Sequence, residues 1–420
     1  MQFTLMFLQM DSRMYIRPLI ITLTLGLLLG CAQLPTQPSQ QAHAIAQKYL
    51  ILDTHIDVPY RIERAFADVG LGTETGEFDY PRAKAGGLNA PFMSIYTPSI
   101  VDERGDAYEF ANKSIDGVEA LAARHPDKFA VATCAADIER DAEAGRISLP
   151  MGMENGGPIE GDFGKLEHFF DRGIRYITLA HSKSNHISDS SYDDNERWQG
   201  LSSFGKALVG DMNRLGVMID VSHISDRAFW QVMELSRVPV IASHSSMRHF
   251  TPGFHRNMSD EMLIAMAKRG GVIQINFGSS FVHQAARDWS AARIDAALKV
   301  KNEKNLPEGH PELLFIMERF KEMNPYPFAT LSQVLDHIDR AVDLAGIDAV
   351  GIGSDYDGVG DTLPVGLKDV STFPNLVQGL LDRGYDEASI AKILGGNTMR
   401  VWREVEAYAE SQGTKTQCAS

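Results

Sequence analysis

The sequence has little cysteine and no excess of basic residues. Its 420 residues include three cysteines, too few for a disulfide framework or a cysteine-rich zinc site. Lys and Arg number 40 against 55 Asp and Glu, a formal net charge of −15. An acidic chain is a poor nucleic-acid binder, because phosphates are neutralised by cationic side chains. Hydrophobic residues make up 44% and charged residues 23%, which excludes a disordered chain or a coiled coil.

The apolar run near the N-terminus, residues 19–29, is too short to span a bilayer, which takes about 20 apolar residues. It follows two arginines and ends in Leu28-Leu29-Gly30-Cys31, which resembles a bacterial lipobox. We therefore expect a signal peptide over residues 1–30, lipidation of Cys31 and a flexible tether over residues 31–44. A lipid anchor alone would hold the exported protein, on the periplasmic side of an outer membrane or otherwise on the cell surface. A plain secretory peptide with an incidental cysteine is the alternative.

The other two cysteines are Cys134 and Cys418. An exported protein meets an oxidising compartment, which permits a disulfide between them. However, Cys418 lies in a polar tail, residues 409–420, that we expect to fray. The sequence leaves this pairing open.

Short apolar runs recur between residues 45 and 408 and predict eight strands. They are residues 49–53, 90–96, 147–153, 174–179, 217–221, 239–242, 271–275 and 349–352. Helical patterns separate them. One apolar stripe ends with Leu215 before Gly216, and a capping box formed by Thr330 and Gln333 opens a helix that closes near Gly346.

Strands that alternate with helices form parallel βαβ units. Eight units predict an α/β fold, a TIM-like (β/α)8 barrel that occupies residues 45–408 as one domain. The stretch 281–326 is charged and helical, longer than a simple crossover, and predicts a helical excursion near the site. A doubly wound open sheet is the alternative fold.

Histidine and carboxylate residues follow six of the predicted strands. They are His55 and Asp57, Glu154, His181, His223, His244, and Asp355 with Asp357. The carboxyl ends of barrel strands meet on one face, so these side chains are predicted to cluster there. Histidine with carboxylate and without thiolate suits zinc or a similar divalent ion in a catalytic site.

These motifs resemble those of the membrane (renal-type) dipeptidase family, zinc metallopeptidases of the amidohydrolase-like barrel superfamily. The resemblance covers residues 45–405. It rests on Asp53-Thr54-His55-Ile56-Asp57, Met153-Glu154-Asn155-Gly156, the stretch from Phe170 to His181, Asp220-Val221-Ser222-His223, Ser243-His244-Ser245-Ser246, His255-Arg256-Asn257 and Gly353-Ser354-Asp355-Tyr356-Asp357-Gly358. One departure is Asn155, where the family more often has glycine, which affects the shape of the pocket more than metal binding.

The resemblance implies two Zn²⁺ ions per chain, or other divalent ions, and a hydroxide that bridges them. The implied metal ligands are His55 and Asp57 for one ion, His223 and His244 for the other, and Glu154 between them. Three residues are implied to act on the substrate: His181 on the scissile carbonyl, Arg256 on the substrate carboxylate and Asp355 as the acid/base. Asp357 is a rival for the last role, and a surface arginine is the alternative for Arg256.

A binuclear zinc dipeptidase acting on dipeptides with a free C-terminal carboxylate is therefore the leading hypothesis. Its partners would be small dipeptides, without nucleic acid, and a homodimer is compatible with it. One alternative is another metal-dependent amidohydrolase acting on a lactone, a cyclic amide or a phosphotriester. A non-catalytic binding lipoprotein is the other. Side-chain and stereochemical preference are left open.

Overall fold

The computed structural model describes residues 37–307 and 309–418, and this part of the chain contains nine strands and seventeen α-helices. The strands are β1 (Ile51–Ile56), β2 (Leu88–Tyr96), β3 (Phe129–Ala132), β4 (Ile147–Glu154), β5 (Ile174–Thr178), β6 (Met218–Asp220), β7 (Ile241–Ala242), β8 (Val272–Ile275) and β9 (Val350–Ile352). The helices are α1 (Gln40–Lys48), α2 (Val58–Arg64), α3 (Tyr80–Gly86), α4 (Ser99–Glu103), α5 (Ala107–Arg124), α6 (Ala135–Glu143), α7 (Phe163–Asp171), α8 (Ser203–Leu215), α9 (Asp226–Leu235), α10 (Asp260–Ala267), α11 (Ser279–Val282), α12 (Gln284–Lys304), α13 (Pro311–Met323), α14 (Leu331–Ala345), α15 (Phe373–Asp382), α16 (Glu387–Ala391) and α17 (Asn397–Ser411).

Eight of these strands form a closed ring. All neighbours run parallel in the order β1-β2-β4-β5-β6-β7-β8-β9, and β9 is hydrogen-bonded back to β1. Helices separate most of the consecutive strands. The predicted TIM-like (β/α)8 barrel is therefore confirmed, and the alternative of an open doubly wound sheet is wrong because the ring closes.

The remaining strand, β3, is the one that the sequence analysis missed. It pairs with the first half of β4, from Ile147 to Pro150, whereas the second half of β4 pairs with β2. β3 therefore lies outside the ring and adds no residue to it. The other eight strands all fall on predicted apolar runs.

Burial on both faces explains why the strands read as continuous apolar runs. Every residue of β1 and of β4 is buried, as expected for strands covered by helices on one side and by the barrel interior on the other. The aromatic ring of Phe92 contacts both Tyr176, at 5.4 Å between ring centroids, and Trp402 of α17, at 5.2 Å. The C-terminal helix is thereby packed against strand residues.

The N-terminal predictions fall largely beyond the described residues. The predicted signal peptide, Cys31 and the tether up to residue 36 lie outside them. Residues 40–44, which we expected to be flexible, instead form the first half of α1. Ser39 caps this helix by accepting a hydrogen bond from the Ala42 amide, and Ala42 is fully buried. Within the described ranges, no helix has both the length and the apolar character needed to cross a bilayer.

The predicted capping residues mark the end of α8 and the start of α14. Gly216 ends α8 with a φ of 86°, a left-handed conformation that glycine adopts without strain. Thr330 and Gln333 form the predicted capping box at the start of α14. The predicted excursion is also helical, because α12 and α13 fill most of residues 281–326.

The polar C-terminal tail is attached to the barrel. Cys134, the residue before α6, forms a disulfide with Cys418, with their Cα atoms 4.9 Å apart. The Thr133 hydroxyl also donates a hydrogen bond to the carbonyl of Gln417 at 2.8 Å. The expectation that this tail frays is therefore wrong up to Cys418, because a disulfide and a hydrogen bond tie these residues to the rest of the chain.

Candidate metal centre

The chain places every predicted metal-type side chain at the carboxyl end of a barrel strand. His55 lies on β1 and Asp57 directly after it, Glu154 ends β4, and His181, His223, His244 and Asp355 follow β5, β6, β7 and β9. Since all the strands are parallel, these ends meet on one face of the barrel. His223 and Asp355 have positive φ angles of 69° and 64°, a strained backbone that is common at functional sites.

Glu154 lies at the centre of the cluster. Its Oε1 is 3.2 Å from the Nε2 atoms of both His223 and His244, and 3.5 Å from Nε2 of His181. Its other oxygen, Oε2, is 3.5 Å from Nε2 of His55. One oxygen of this carboxylate thus faces three histidines and the other faces a fourth.

His55, Asp57 and Asp355 form an adjoining group that could hold a metal ion. Nε2 of His55 is 3.4 Å from Oδ2 of Asp57. Gly358 leaves room for both carboxylates, because a Cβ atom at this position would come within 2.1 Å of Asp57 Oδ2 and 2.3 Å of Asp355 Oδ1. A side chain at this position would therefore displace one or both of these carboxylates.

These side chains fit divalent cations. Among the described residues, His55 Nε2 and Asp57 Oδ1 are buried and have no hydrogen-bond partner. The Nε2 atoms of His223 and His244 face each other at 2.8 Å, and two such atoms that both carry a lone pair need a cation or a proton between them. Imidazole nitrogens and carboxylate oxygens are the usual ligands of zinc in catalytic sites.

Burial and mutual charge shift the pKa values of the cluster strongly. Burial and the neighbouring charge of Arg256 lower the pKa of His223, and burial and His55 lower that of His244. Burial opposes ionisation of Glu154, but His55 and His181 outweigh it and hold the pKa of this carboxyl well below its usual range. Burial lowers the pKa of His55, but Tyr176, Glu154 and Asp57 outweigh it and raise this pKa above its usual range. A metal ion on Nε2 of His55 would have to replace a proton there, because a neutral imidazole and an ionised carboxylate are the forms that bind metal.

Buried hydroxyl groups orient two of the histidines. The Tyr176 hydroxyl donates to the carbonyl of Thr54 at 3.0 Å and lies 3.0 Å from Nδ1 of His55. Its single proton is used on Thr54, so the hydroxyl accepts the Nδ1–H proton of His55. That tautomer leaves the lone pair of His55 on Nε2, which faces the cluster.

The same arrangement recurs at His244. The Ser243 hydroxyl donates to Asp220 at 2.6 Å and lies 2.7 Å from Nδ1 of His244. Asp220 is fully buried and also accepts the backbone amides of Ser222 and Ser243. Sequence reasoning gave Tyr176, Ser243 and Asp220 no role, although all three belong to the motifs on which the family resemblance rests.

The two aspartates after β9 have different surroundings. Asp355 accepts a hydrogen bond from Asn276 Nδ2 at 2.7 Å, and burial raises its pKa to about 7. Asp357 instead pairs with Arg61 at 2.9 Å and accepts the amide of Glu77 at 2.7 Å. Asn276 was missed, although it directly follows a predicted strand, as the other site residues do.

Arg256 is buried rather than at the surface, with a relative exposure of 3%. Its guanidinium donates to the Ser245 hydroxyl at 2.7 Å and to the carbonyl of His244 at 2.8 Å. None of the described carboxylates lies within ion-pair distance of it, and its Nε has no hydrogen-bond partner among the same residues. A buried guanidinium without an ion pair is costly, so the carboxylate of a bound ligand could stabilise it here.

His337 of α14 connects the loop after β7 with the end of α11. Its Nδ1 accepts the amide of Met247, and its Nε2 donates to the carbonyl of Val282 at 3.0 Å. Burial lowers its pKa to about 4, so the ring is neutral at pH 7, and a single tautomer can make both hydrogen bonds. The loop that carries Arg256 is thus fastened to the start of the helical excursion.

A cavity of about 1050 Å³ opens above the cluster. Glu154, His181, His223, His244, Asp57 and Asp355 line its floor. Aromatic and cationic side chains line its walls, among them Tyr60, Arg64, Tyr96, Tyr192, Phe281 and Tyr326. Phe281 and Tyr326 belong to the predicted excursion, which therefore lies beside the site as expected.

Comparison with known proteins agrees with this arrangement. A family model described as membrane dipeptidase (peptidase family M19) matches residues 39–416. Dipeptidase 3 of Mus musculus is 31% identical over 380 residues, which cover 88% of this chain and 67% of the mouse protein. The solved structure of the probable dipeptidase PvdM from Pseudomonas aeruginosa aligns with a TM-score of 0.75 and 29% identity over 88% of this chain and 98% of that one. A metallo peptidase from Rhodobacter sphaeroides, solved with a phosphinate mimic of the dipeptide L-Ala-D-Ala, aligns with a TM-score of 0.69 and 25% identity over 85% and 99%.

Proposed function

Because the chain belongs to the membrane dipeptidase family and is a metal-dependent peptidase, we propose that it binds two Zn²⁺ ions and hydrolyses dipeptides with a free C-terminal carboxylate. The observation that carries the proposal is the position of Glu154, whose two oxygens face different histidines. A carboxylate in that position can bridge two cations and offset part of their mutual repulsion. The ligand set we propose is His55 and Asp57 for one ion, His223 and His244 for the other, and Glu154 for both.

Two ions held in this way would act as Lewis acids and lower the pKa of a water molecule between them towards neutrality. Asp355 would accept a proton from the attacking water and pass it to the leaving amine. Its raised pKa, about 7, suits a group that takes and returns a proton near neutral pH. Its hydrogen bond from Asn276 holds one carboxylate oxygen and leaves the other for the reaction.

His181 and Arg256 would bind the substrate. His181 lies on the cavity floor with its Nε2 towards Glu154, where it can stabilise the developing charge of the scissile carbonyl oxygen. Arg256 can pair with the free carboxylate, which would supply the anion that its buried guanidinium lacks. A related peptidase binds a phosphinate mimic of a dipeptide, which supports dipeptides as the substrate class here.

We further propose that the enzyme works outside the cytoplasm, anchored through Cys31. The Cys134–Cys418 disulfide supports an oxidising compartment. The test is fractionation and mass spectrometry of the full chain expressed in a bacterium that processes lipoproteins. We expect wild type in the membrane fraction with acyl chains on Cys31, and Cys31→Ser released or unprocessed. A soluble, unacylated wild type would overturn the anchoring.

The activity is tested by metal analysis together with hydrolysis of a dipeptide panel. We expect close to two divalent ions per chain, loss of activity with chelators and its return with Zn²⁺. His223→Ala should lower metal content and rate together, whereas His249→Ala, which alters an exposed histidine outside the cluster, should change neither. Hydrolysis of lactones or phosphotriesters without dipeptides would favour another amidohydrolase, and metal binding without any hydrolysis a binding protein.

A further inference from the structure

Two arginines line the cavity, and they differ in their partners. Arg61 is already engaged, since it pairs with Asp357 at 2.9 Å and donates to the carbonyl of Phe78 at 2.9 Å. Arg64 is exposed and, within the described part of the chain, neither a carboxylate nor a carbonyl accepts from its guanidinium. It is therefore a cation at the cavity wall that is available to a ligand.

Aromatic rings connect Arg64 with the catalytic end of the barrel. Its guanidinium lies over the ring of Tyr60, 5.5 Å from the centroid, one helical turn earlier on α2. Tyr60 packs edge-on against Tyr96 at 5.1 Å, and Tyr96 packs against His181 at 4.8 Å. The stacking restricts the arginine side chain, which reduces the entropy lost when it binds an anion.

The positions of Tyr96 and Arg256 around the ring of strands indicate which part of a dipeptide would lie near Tyr96. Tyr96 ends β2, and Arg256 belongs to the loop after β7. In the ring order β1-β2-β4-β5-β6-β7-β8-β9, β2 and β7 lie opposite each other. With the C-terminal carboxylate on Arg256 and the scissile bond above Glu154, the N-terminal residue of the substrate faces Tyr96.

We propose that Arg64, with Tyr60 and Tyr96, forms a subsite for an anionic side chain, so that the enzyme prefers dipeptides whose N-terminal residue is Glu or Asp. This inference rests on the proposed dipeptidase function. The two tyrosine rings would cover the methylene groups of the side chain, and the guanidinium would pair with its carboxylate. The same cation would repel a lysine side chain.

The test compares dipeptides that differ only in the N-terminal residue: Glu, its uncharged isostere Gln, and Lys, each followed by the same C-terminal residue. For wild type we expect kcat/KM to fall in the order Glu, Gln, Lys, with about 1.4- to fivefold between Glu and Gln, the range of an exposed ion pair. This difference should shrink at high ionic strength, which screens the pair.

Arg64→Gln should remove the difference in kcat/KM between the Glu and Gln dipeptides. Arg64→Glu should reverse the order, so that Lys is preferred over Glu. The matched control is Arg124→Gln, because Arg124 is also an exposed arginine stacked on an aromatic ring, Phe66, but lies outside the cavity. It should keep the wild-type order.

Two outcomes separate this inference from the proposed function. If wild type hydrolyses the Gln dipeptide but does not discriminate Glu from Gln, or if Arg64→Glu keeps the wild-type order, the subsite is refuted and the dipeptidase stands. If wild type with its metal restored hydrolyses none of the three dipeptides, the proposed function itself is refuted.

Discussion

Replacing Tyr176 by Phe removes one oxygen atom from the barrel interior and should weaken metal binding without unfolding the chain. The hydroxyl is fully buried and accepts the Nδ1–H of His55 while donating to the carbonyl of Thr54. In Tyr176→Phe the ring keeps its packing against Phe92, but Nδ1 loses its acceptor. His55 can then carry its proton on Nε2, beside Oε2 of Glu154, where a metal ion would have to displace it.

The size of the effect follows from the partners that are lost. A partner that fixes the tautomer of a metal-binding histidine is worth about 10- to 100-fold in metal affinity, or about 1.4–2.8 kcal/mol at about 1.4 kcal/mol per tenfold. Leaving a buried donor unsatisfied costs about 1–3 kcal/mol, which agrees with this range. We therefore expect a 10- to 100-fold higher dissociation constant for the ion that we propose His55 binds.

The assay is a competition for Zn²⁺ between the metal-free protein and a chromophoric chelator, combined with urea unfolding of the metal-free form. Tyr356→Phe is the matched control, because Tyr356 is also a fully buried phenol, but its hydroxyl faces Thr372 at 3.4 Å instead of a metal-binding histidine. An unchanged Zn²⁺ affinity in Tyr176→Phe would refute the tautomer argument. Equal weakening in both variants would attribute the loss to packing.

Four further predictions concern the site and its supports. Asp355→Asn should keep both metals and lose about 10²-fold or more in kcat, the usual worth of a general acid–base group; loss of one metal ion would make Asp355 a ligand instead. Arg256→Ala should cost about 2–5 kcal/mol in kcat/KM for dipeptides with a free carboxylate and little for amidated ones, whereas equal losses would make Arg256 structural. Gly358→Ala should lower metal content, because its Cβ would clash with Asp57 and Asp355; full metal content would contradict this. Because the pKa of His337, about 4, lies below the ordinary 6.5, the unfolded chain binds more protons between these values. His337 should therefore contribute about 3 kcal/mol to the change in the free energy of unfolding, a loss of stability from pH 7 to pH 4, and urea titrations of His337→Gln should lack this contribution to the pH slope.

The ring of strands could be predicted because each of its strands is buried on both faces and therefore leaves an apolar run in the sequence. β3 was missed for the opposite reason, since it lies outside the ring and two of its four residues are only partly buried. The disulfide was left open because pairing depends on where the tail docks. That docking depends on contacts between residues that are far apart in the chain, such as Thr133 and Gln417.

The positions of the metal-type side chains could be predicted for a related reason. Parallel strands in a closed ring bring their carboxyl ends together, so strand boundaries alone indicate which residues meet. The residues that orient the histidines cannot be recognised from strand boundaries in this way. Tyr176 reads as one more apolar strand residue, and its pairing with His55 follows from the register between strands that do not adjoin in the ring. Roles of this kind depend on side-chain contacts across the barrel.

Asn155, where the family that the sequence resembles more often has glycine, shows how a departure from the motif can be accommodated. Its φ is 73°, in the left-handed region that glycine adopts freely and asparagine tolerates better than most residues. The side chain is buried and fully used: its amide donates to the carbonyl of Thr97 at 3.0 Å, and its oxygen accepts from Gly157 and Asn185. A glycine would permit the same backbone conformation, but the loops after β2, β4 and β5 would lose the hydrogen bonds through which Asn155 connects them. Two of these loops directly follow Tyr96 and Glu154, and the third contains His181. Asparagine at this position therefore supports the wall of the cavity that we assign to the N-terminal residue of the substrate, while Glu154 keeps its place between the histidines.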